Sequence, residues 1–315
     1  MKKRITSCII LLSFAFFSCD PTQKGIASTS PQADDLFSQD YSIKYYFNQE
    51  VIPKKVLEDR NGTIQILSAD GLYRTHAGLF LFPGELISDR TYLPMADKDL
   101  SGLSMFQDQF LYVDDEAVFG NAWAGSLFIK HQLDRPSLLA GGHNFDFLVS
   151  DGASMEYLVE GQSQWKGDLG GEEILEIIYV PVSRGFLVLT PAALHFFSSE
   201  DKTTKKVYSG QGLTSFEVLG RDGRIVIGTN HGYQELDGVS FQPLKEINNK
   251  LPWPSITVVK EIDGQTWFGS ERGAFKLNED GRFDYYYGER WLTGEKVLDI
   301  AEGSGKTVLL LTEGG

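Results

Sequence analysis

The chain has 315 residues, 42% hydrophobic and 12% aromatic, with 33 glycines and a formal charge of −14 from 29 basic and 43 acidic residues. This composition excludes a disordered chain and describes a turn-rich globular one, long enough to bury a sizeable core. The acidity argues against a nucleic-acid partner, because phosphate binding depends on clustered lysine and arginine, and favours solubility at a crowded surface.

At the N-terminus a basic stretch, Lys2-Lys3-Arg4, leads into the apolar run "CIILLSFAFF". That run is too short to span a bilayer as a helix and reads as a targeting segment, to be set aside from the fold. It ends at Ser18-Cys19. This resembles a bacterial lipoprotein signal, in which a small residue precedes a cysteine that is acylated and becomes the mature N-terminus. The sequence departs from that pattern at Phe16-Phe17, where leucine and a small residue are usual. The resemblance implies a signal over residues 1–18, lipidation at Cys19, and an envelope protein facing the periplasm or held at the outer membrane, touching the membrane only through its lipid anchor. Cys8 then leaves with the signal, so no disulfide is available, and the mature charge is −17, from 26 basic and 43 acidic residues. Residues 19–40, containing "DPTQKGIASTSPQADD", lack periodic apolar positions and read as a flexible tether.

From residue 41 onward the sequence repeats. The stretch "EIDGQTWFGSERGAFKL" (Glu261 to Leu277) aligns with "DRNGTIQILSADGLYRT", "GRDGRIVIGTNHGYQEL" and "GSGKTVLLLTEGG". Each has a glycine, an apolar run and a second glycine nine places on: Gly62 and Gly71, Gly223 and Gly232, Gly264 and Gly273, Gly305 and Gly314. Asn-Gly and Asp-Gly suit two-residue hairpins whose central residues need positive φ. Between Gly71 and Gly223 the glycines fade, but "FQDQFLYVDDEAVF", "GHNFDFLVSDGASMEYL" and "SRGFLVLTPAALHFF" keep the rhythm of turn, strand, break and strand. Seven turns, near residues 62, 108, 144, 184, 223, 264 and 305, give a period of about 41. A period near 40 with several short strands per unit predicts an all-β fold, a β-propeller of seven blades with the last incomplete, over residues 41–315.

"VLEDRNGTIQILSADGLYR" and "VVKEIDGQTWFGSERGAFKL" resemble the two-component-regulator propeller repeat, E-D-x-x-G-x-[LI]-W-[IV]-G-T-x-x-G-[LV]. Glu58, Asp59, Gly62, Gly71, Leu72 and Tyr73 match it in the first copy, and Gly264, Trp267, Gly269 and Gly273 in the sixth. In that family such propellers form extracytoplasmic sensor regions, or occur in binding proteins or ahead of enzyme domains. Tyr41 to Phe47 echoes the tyrosine-rich "FDYYYGER", so it is expected to be the outer strand that completes the last blade. The seventh unit, reaching Gly314-Gly315, lacks a third strand, which predicts a longer protein cut short at this point.

The chemistry-bearing motifs are few. "GSGKT" (Gly303 to Thr307) has Ile300 where a phosphate loop needs glycine and runs on into a strand, so it reads as a turn. His76, His131, His143, His195 and His231 have no metal-ligand spacing and are expected on the surface or in loops; no metal or cofactor is expected. Neither a Gly-x-Ser-x-Gly elbow nor a His-Glu-x-x-His helix occurs. The aromatic residues remain. Trp253 in "LPWPS" and Trp291 in "ERWLTGE" lie in connections between blades and are the candidate ligand-binding residues, for a glycan, a peptide or a protein. The sequence therefore predicts a lipid-anchored extracytoplasmic propeller acting as a binding module, or the non-catalytic N-terminal propeller of a larger enzyme or sensor.

Overall fold

The computed structural model describes residues 42–315 except 48–50, 60–61, 70, 75–85, 88–99, 108, 123–124, 144, 221 and 279. The signal, Cys19, the whole of the tether, His76 and Trp123 lie outside the described residues. Among the described residues, regular structure other than strand is confined to one helical turn, Gly288–Trp291, and a 3-10 turn, Ser304–Lys306. No helix of the described residues is long and apolar enough to cross a membrane.

Six antiparallel sheets of three or four strands follow one another in chain order, each a meander paired in sequence order. They form the blades of a propeller. The first comprises Pro53–Glu58, Ile64–Ser68 and Gly71–Arg74; the second Gly102–Phe106, Gln109–Val113, Ala117–Ala122 and Gly125–Lys130. The third comprises Leu138–Gly141, Asp146–Ser150, Ser154–Val159 and Gln162–Asp168; the fourth Glu176–Val180, Gly185–Leu189, Ala193–Ser198 and Thr203–Ser209. The fifth has Leu213–Val218, Ile225–Thr229 and Gly232–Leu236; the sixth Ile256–Ile262, Gln265–Ser270, Gly273–Leu277 and Phe283–Tyr286. A two-stranded sheet, Val297–Gly303 with Thr307–Thr312, follows. The first strands of all these sheets touch in a closed cycle, with Pro53–Glu58 beside Val297–Gly303 at the seam.

A separate apolar cluster fills each gap between neighbouring sheets. Phe147, Phe186 and Phe216 belong to three of them, and a smaller cluster of Val56, Ile66, Tyr73, Ala301 and Leu311 fills the seam. Second strands are covered on both faces, which is why "DFLVS", "GFLVL" and "IVIGT" are apolar without alternation and fully buried.

Three local devices build each unit. The turn after the first strand needs left-handed backbone: Asp263 (φ 52°) and Gly264 (φ 71°) make a two-residue hairpin. A hydroxyl closes the second strand: Ser68, Thr190, Thr229, Ser270 and Thr312 donate to the carbonyls of Gly71, Ala193, Gly232, Gly273 and Gly315 at 2.9, 3.2, 3.0, 2.7 and 3.0 Å. Ser150 bonds Ser154 at 2.8 Å, and Asp114 fills the same place by accepting from the Ala117 N–H at 2.8 Å. Finally, a glutamate ending a first strand accepts from the turn of the preceding sheet: Glu261 from the Gly220 N–H, and Glu58 from the Ser304 N–H at 3.0 Å across the seam. The second of these contacts makes "GSGKT" a capped hairpin turn.

The N-terminal segment differs from expectation. Only Tyr46–Phe47 is strand, and it pairs in parallel with Leu86–Ile87. It meets the two-stranded sheet through one backbone bond, from the Phe47 N–H to the Gly314 carbonyl at 3.2 Å, while the Ser42 hydroxyl donates to the Trp291 carbonyl at 2.7 Å.

Candidate functional site

The innermost strands enclose a channel of about 1210 Å³. Its wall follows from a backbone irregularity. The first strands of blades one, five and six and of the two-stranded sheet each carry a bulge, between Pro53 and Lys55, Leu213 and Ser215, Ile256 and Val258, and Val297 and Asp299. A bulge disrupts the ladder, so the N–H beyond it needs another acceptor. For blades five, six and one the preceding sheet supplies it. Glu176 accepts from the Phe216 N–H and the Ser215 hydroxyl, both at 2.9 Å. Ser215 in turn accepts from the Val259 N–H at 3.3 Å, and Asp299 from the Val56 N–H at 2.9 Å.

Glu176, Ser215 and Asp299 occupy one register position, opposite the residue just before the strand-closing hydroxyl. In blades one, two and three that position holds Lys55, Gly102 and Leu139. The first strands they precede, those of blades two, three and four, pair without a register shift and so free no N–H there.

The channel wall is consequently charged over blades four to six, the two-stranded sheet and blade one, through Glu176, Glu217, Lys260, Asp299 and Lys55. It is neutral over blades two and three, through Leu103, Ser104 and Leu139. Lys260 Nζ lies 3.2 Å from Glu176 and 3.3 Å from Glu217. Burial works against the Lys260 charge, but the Glu176, Glu217 and Asp299 carboxylates outweigh it and hold the ammonium above its usual range. Burial pushes the Glu217 and Asp299 carboxyls up, opposed by Lys260 for Glu217 and by Lys55 and Lys260 for Asp299. Burial pushes the Lys55 ammonium down, with Asp299 opposing and Lys260 adding to the shift.

Trp253 and Trp291 both come from connections leading to the next first strand, on the face that also carries the turns between second and third strands. Trp253 meets Tyr287, Tyr285 and Phe275 at 5.5, 6.0 and 6.4 Å, and is half-buried. It closes over Gly273, where a Cβ would stand 2.6 Å from the Tyr286 carbonyl, and whose φ of 144° is itself glycine's. Trp291 packs edge-on against Tyr286 at 5.1 Å, with the Arg290 guanidinium 5.0 Å from its ring. The two indoles therefore belong to different clusters, one between blades five and six, the other between blade six and the two-stranded sheet. Trp165 packs between blades three and four against Phe197 at 4.9 Å.

Two histidines expected on the surface or in loops are buried, His131 in the connection after Gly125–Lys130 and His195 within a strand. His131 is held by the Asp114 carbonyl at 2.8 Å and the Leu133 N–H at 3.3 Å. His195 sits on a third strand, 7% exposed, its Nε2 without a hydrogen-bond partner and 4.0 Å from Glu172. Among the described residues no group of side chains could hold a metal ion. Burial lowers the His195 pKa below its usual 6.5, with Glu172 opposing. A depressed folded-state pKa makes the contribution to stability complete above the unfolded value and lost as pH falls through the folded one. Acidifying from about pH 7.5 to about pH 5.5 should therefore lower the melting temperature more in the wild type than in His195→Gln, on the usual histidine scale. Parallel melting curves with equal pH dependence would contradict this.

No family model matches the sequence, and no curated protein does. Solved structures match in fold. An extracellular domain assigned to the hybrid two-component system BT4673 of B. thetaiotaomicron aligns with 88% of this chain at 14% identity and a TM-score of 0.65. This chain spans only 39% of that domain's length. A streptogramin B lyase aligns over 85% of this chain and 93% of its own at 12% identity, TM-score 0.62. Virginiamycin B lyase from Staphylococcus aureus covers the same 85% at 12% identity, TM-score 0.60. At such identities the likeness is one of fold, that of a β-propeller.

The channel residues Lys55, Glu176, Glu217, Lys260 and Asp299 were not among those the sequence singled out. Their signal is a charge inside the apolar first strand of a unit, as in "KKVLED", "VVKEI" and "VLDIAEG".

Proposed function

We propose that the chain is an extracytoplasmic β-propeller binding module, anchored by lipid at Cys19, in which the two-stranded sheet is the incomplete seventh blade. The observation that carries this reading is the channel of about 1210 Å³, charged along most of its wall and neutral over blades two and three, beneath a face that carries half-buried tryptophans. Such a concave, mixed wall suits a small ligand or a protruding segment of a partner. The fold shared with a two-component extracellular domain supports a sensory or binding role outside the cytoplasm. That domain is much longer than this chain, which favours a second reading: the propeller is one non-catalytic part of a larger enzyme or sensor.

A glycan and peptide binding screen on the whole chain tests the first reading. Hits should weaken at least about fivefold in Trp253→Ala or Trp291→Ala, the loss of one stacking aromatic being worth about 1 kcal/mol or more. Unchanged affinity in both variants would remove the aromatic face from the site. Metabolic labelling with palmitate, lost in Cys19→Ala, tests the anchor.

A further inference from the structure

Most charges in the channel have a structural task. Glu176 and Asp299 receive N–H groups freed by bulges, and Lys260 sits against Glu176 and Glu217. Lys55 does not share such a task. It occupies the register position of those acceptors, but the strand after it is unbulged, and an ammonium could accept nothing in any case. Among the described residues Lys55 has no ion-pair or hydrogen-bond partner, although Asp299 and Lys260 are near enough to influence it. The blade beside it offers Gly102 at the matching position, so no side chain stands there to answer its charge. A half-buried ammonium without a partner is costly to retain for packing alone. The Thr214 hydroxyl, buried and also without a partner, lines the same channel.

We infer that Lys55 anchors the carboxylate of a ligand entering the channel, with the Thr214 hydroxyl as a second polar contact. A single negative charge fits better than a double one. The channel offers one uncommitted buried ammonium, and Glu176, Glu217 and Asp299 would repel a dianion such as phosphate. The neutral wall of Leu103 and Leu139 takes the uncharged body of the ligand. Burial lowers the Lys55 pKa, with Asp299, Glu176 and Glu217 opposing and Lys260 adding to the shift, and a bound carboxylate would oppose that burial as well.

This inference rests on the binding-module reading, and its test separates the two. The probes are glucuronate for a sugar acid, N-acetylglycine for a peptide terminus, inorganic phosphate and neutral glucose, titrated calorimetrically into the full chain. A monocarboxylate should bind the wild type more tightly than phosphate or glucose does. Which monocarboxylate binds distinguishes a sugar acid from a peptide end. Lys55→Met should weaken that binding at least about tenfold, whereas Lys55→Arg should keep it within about threefold, since either cation can pair a carboxylate. Removing an unpartnered ammonium should leave the melting temperature unchanged or raised. Should Lys55→Met fail to fold, Lys55→Gln removes the same charge and is read the same way. Equal affinity in the variant, or no binding of either monocarboxylate to the wild type, would overturn the proposal. A screen hit lost in Trp253→Ala but unaffected by Lys55→Met would leave the binding module standing and sink this anchor.

Discussion

Glu176→Ala should destabilise the propeller by about 2–3 kcal/mol, the range for removing one member of a partly buried, hydrogen-bonded charge pair. The carboxylate joins three blades at once: it takes the Phe216 N–H and Ser215 hydroxyl of blade five at 2.9 Å and the Lys260 ammonium of blade six at 3.2 Å. Alanine leaves the Phe216 N–H behind a bulge with no acceptor and Lys260 leaning on Glu217 alone. Glu176→Gln keeps an acceptor for the N–H and loses only the charge, so it should cost about half as much. Urea denaturation of the two variants and the wild type measures the difference. If Glu176→Ala lies within about 0.5 kcal/mol of wild type, the usual scatter of surface substitutions, the bulge-capping role is wrong. Ser215→Ala in the same background should add less than its effect alone, because both changes empty one network.

The architecture was legible where chemistry forces a letter. Gly264 and Gly273 sit at φ 71° and 144°, which other residues resist, so their spacing survives in the sequence. In the three faint copies the same turns persist with different residues: Gln107, Phe145 and Arg184 stand at φ 51°, 55° and 48°. The backbone kept the period after the glycines left. The more persistent signal is the residue closing each second strand, which is serine, threonine or aspartate in every sheet, because the turn beyond it needs a side-chain oxygen. The channel was illegible for another reason. In an alternating strand Glu176, Lys260 and Asp299 look like ordinary solvent-facing charges. Lys260 and Asp299 lie on bulged strands and Glu176 meets one, and a bulge moves one residue out of register without marking the sequence. The tryptophans were visible as aromatics in connections, but only the fold assigns Trp253 and Trp291 to separate inter-blade clusters.

Phe268→Ala should be more damaging, at about 3–5 kcal/mol, the range for emptying a large buried aromatic site. Phe268 is fully buried, stacked on Phe275 at 5.1 Å with rings 17° apart, and 4.9 Å from Tyr233 of blade five. It therefore fills the gap between blades five and six, and Phe275 carries the contact onward to Trp253 at 6.4 Å. Each apolar cluster joins only neighbouring sheets, so an open array could melt unit by unit. The closed cycle of first strands makes that costly, because opening one gap exposes apolar surface without releasing either neighbour from its other side. A single unfolding transition is thus expected in Phe268→Ala, shifted down by roughly 10 °C on the usual scale for domains of this size. Tryptophan emission should report the loss together with circular dichroism. Separate transitions by the two probes would show that the gap between blades five and six opens independently, and that Pro53–Glu58 against Val297–Gly303 does not hold the ring as one cooperative unit.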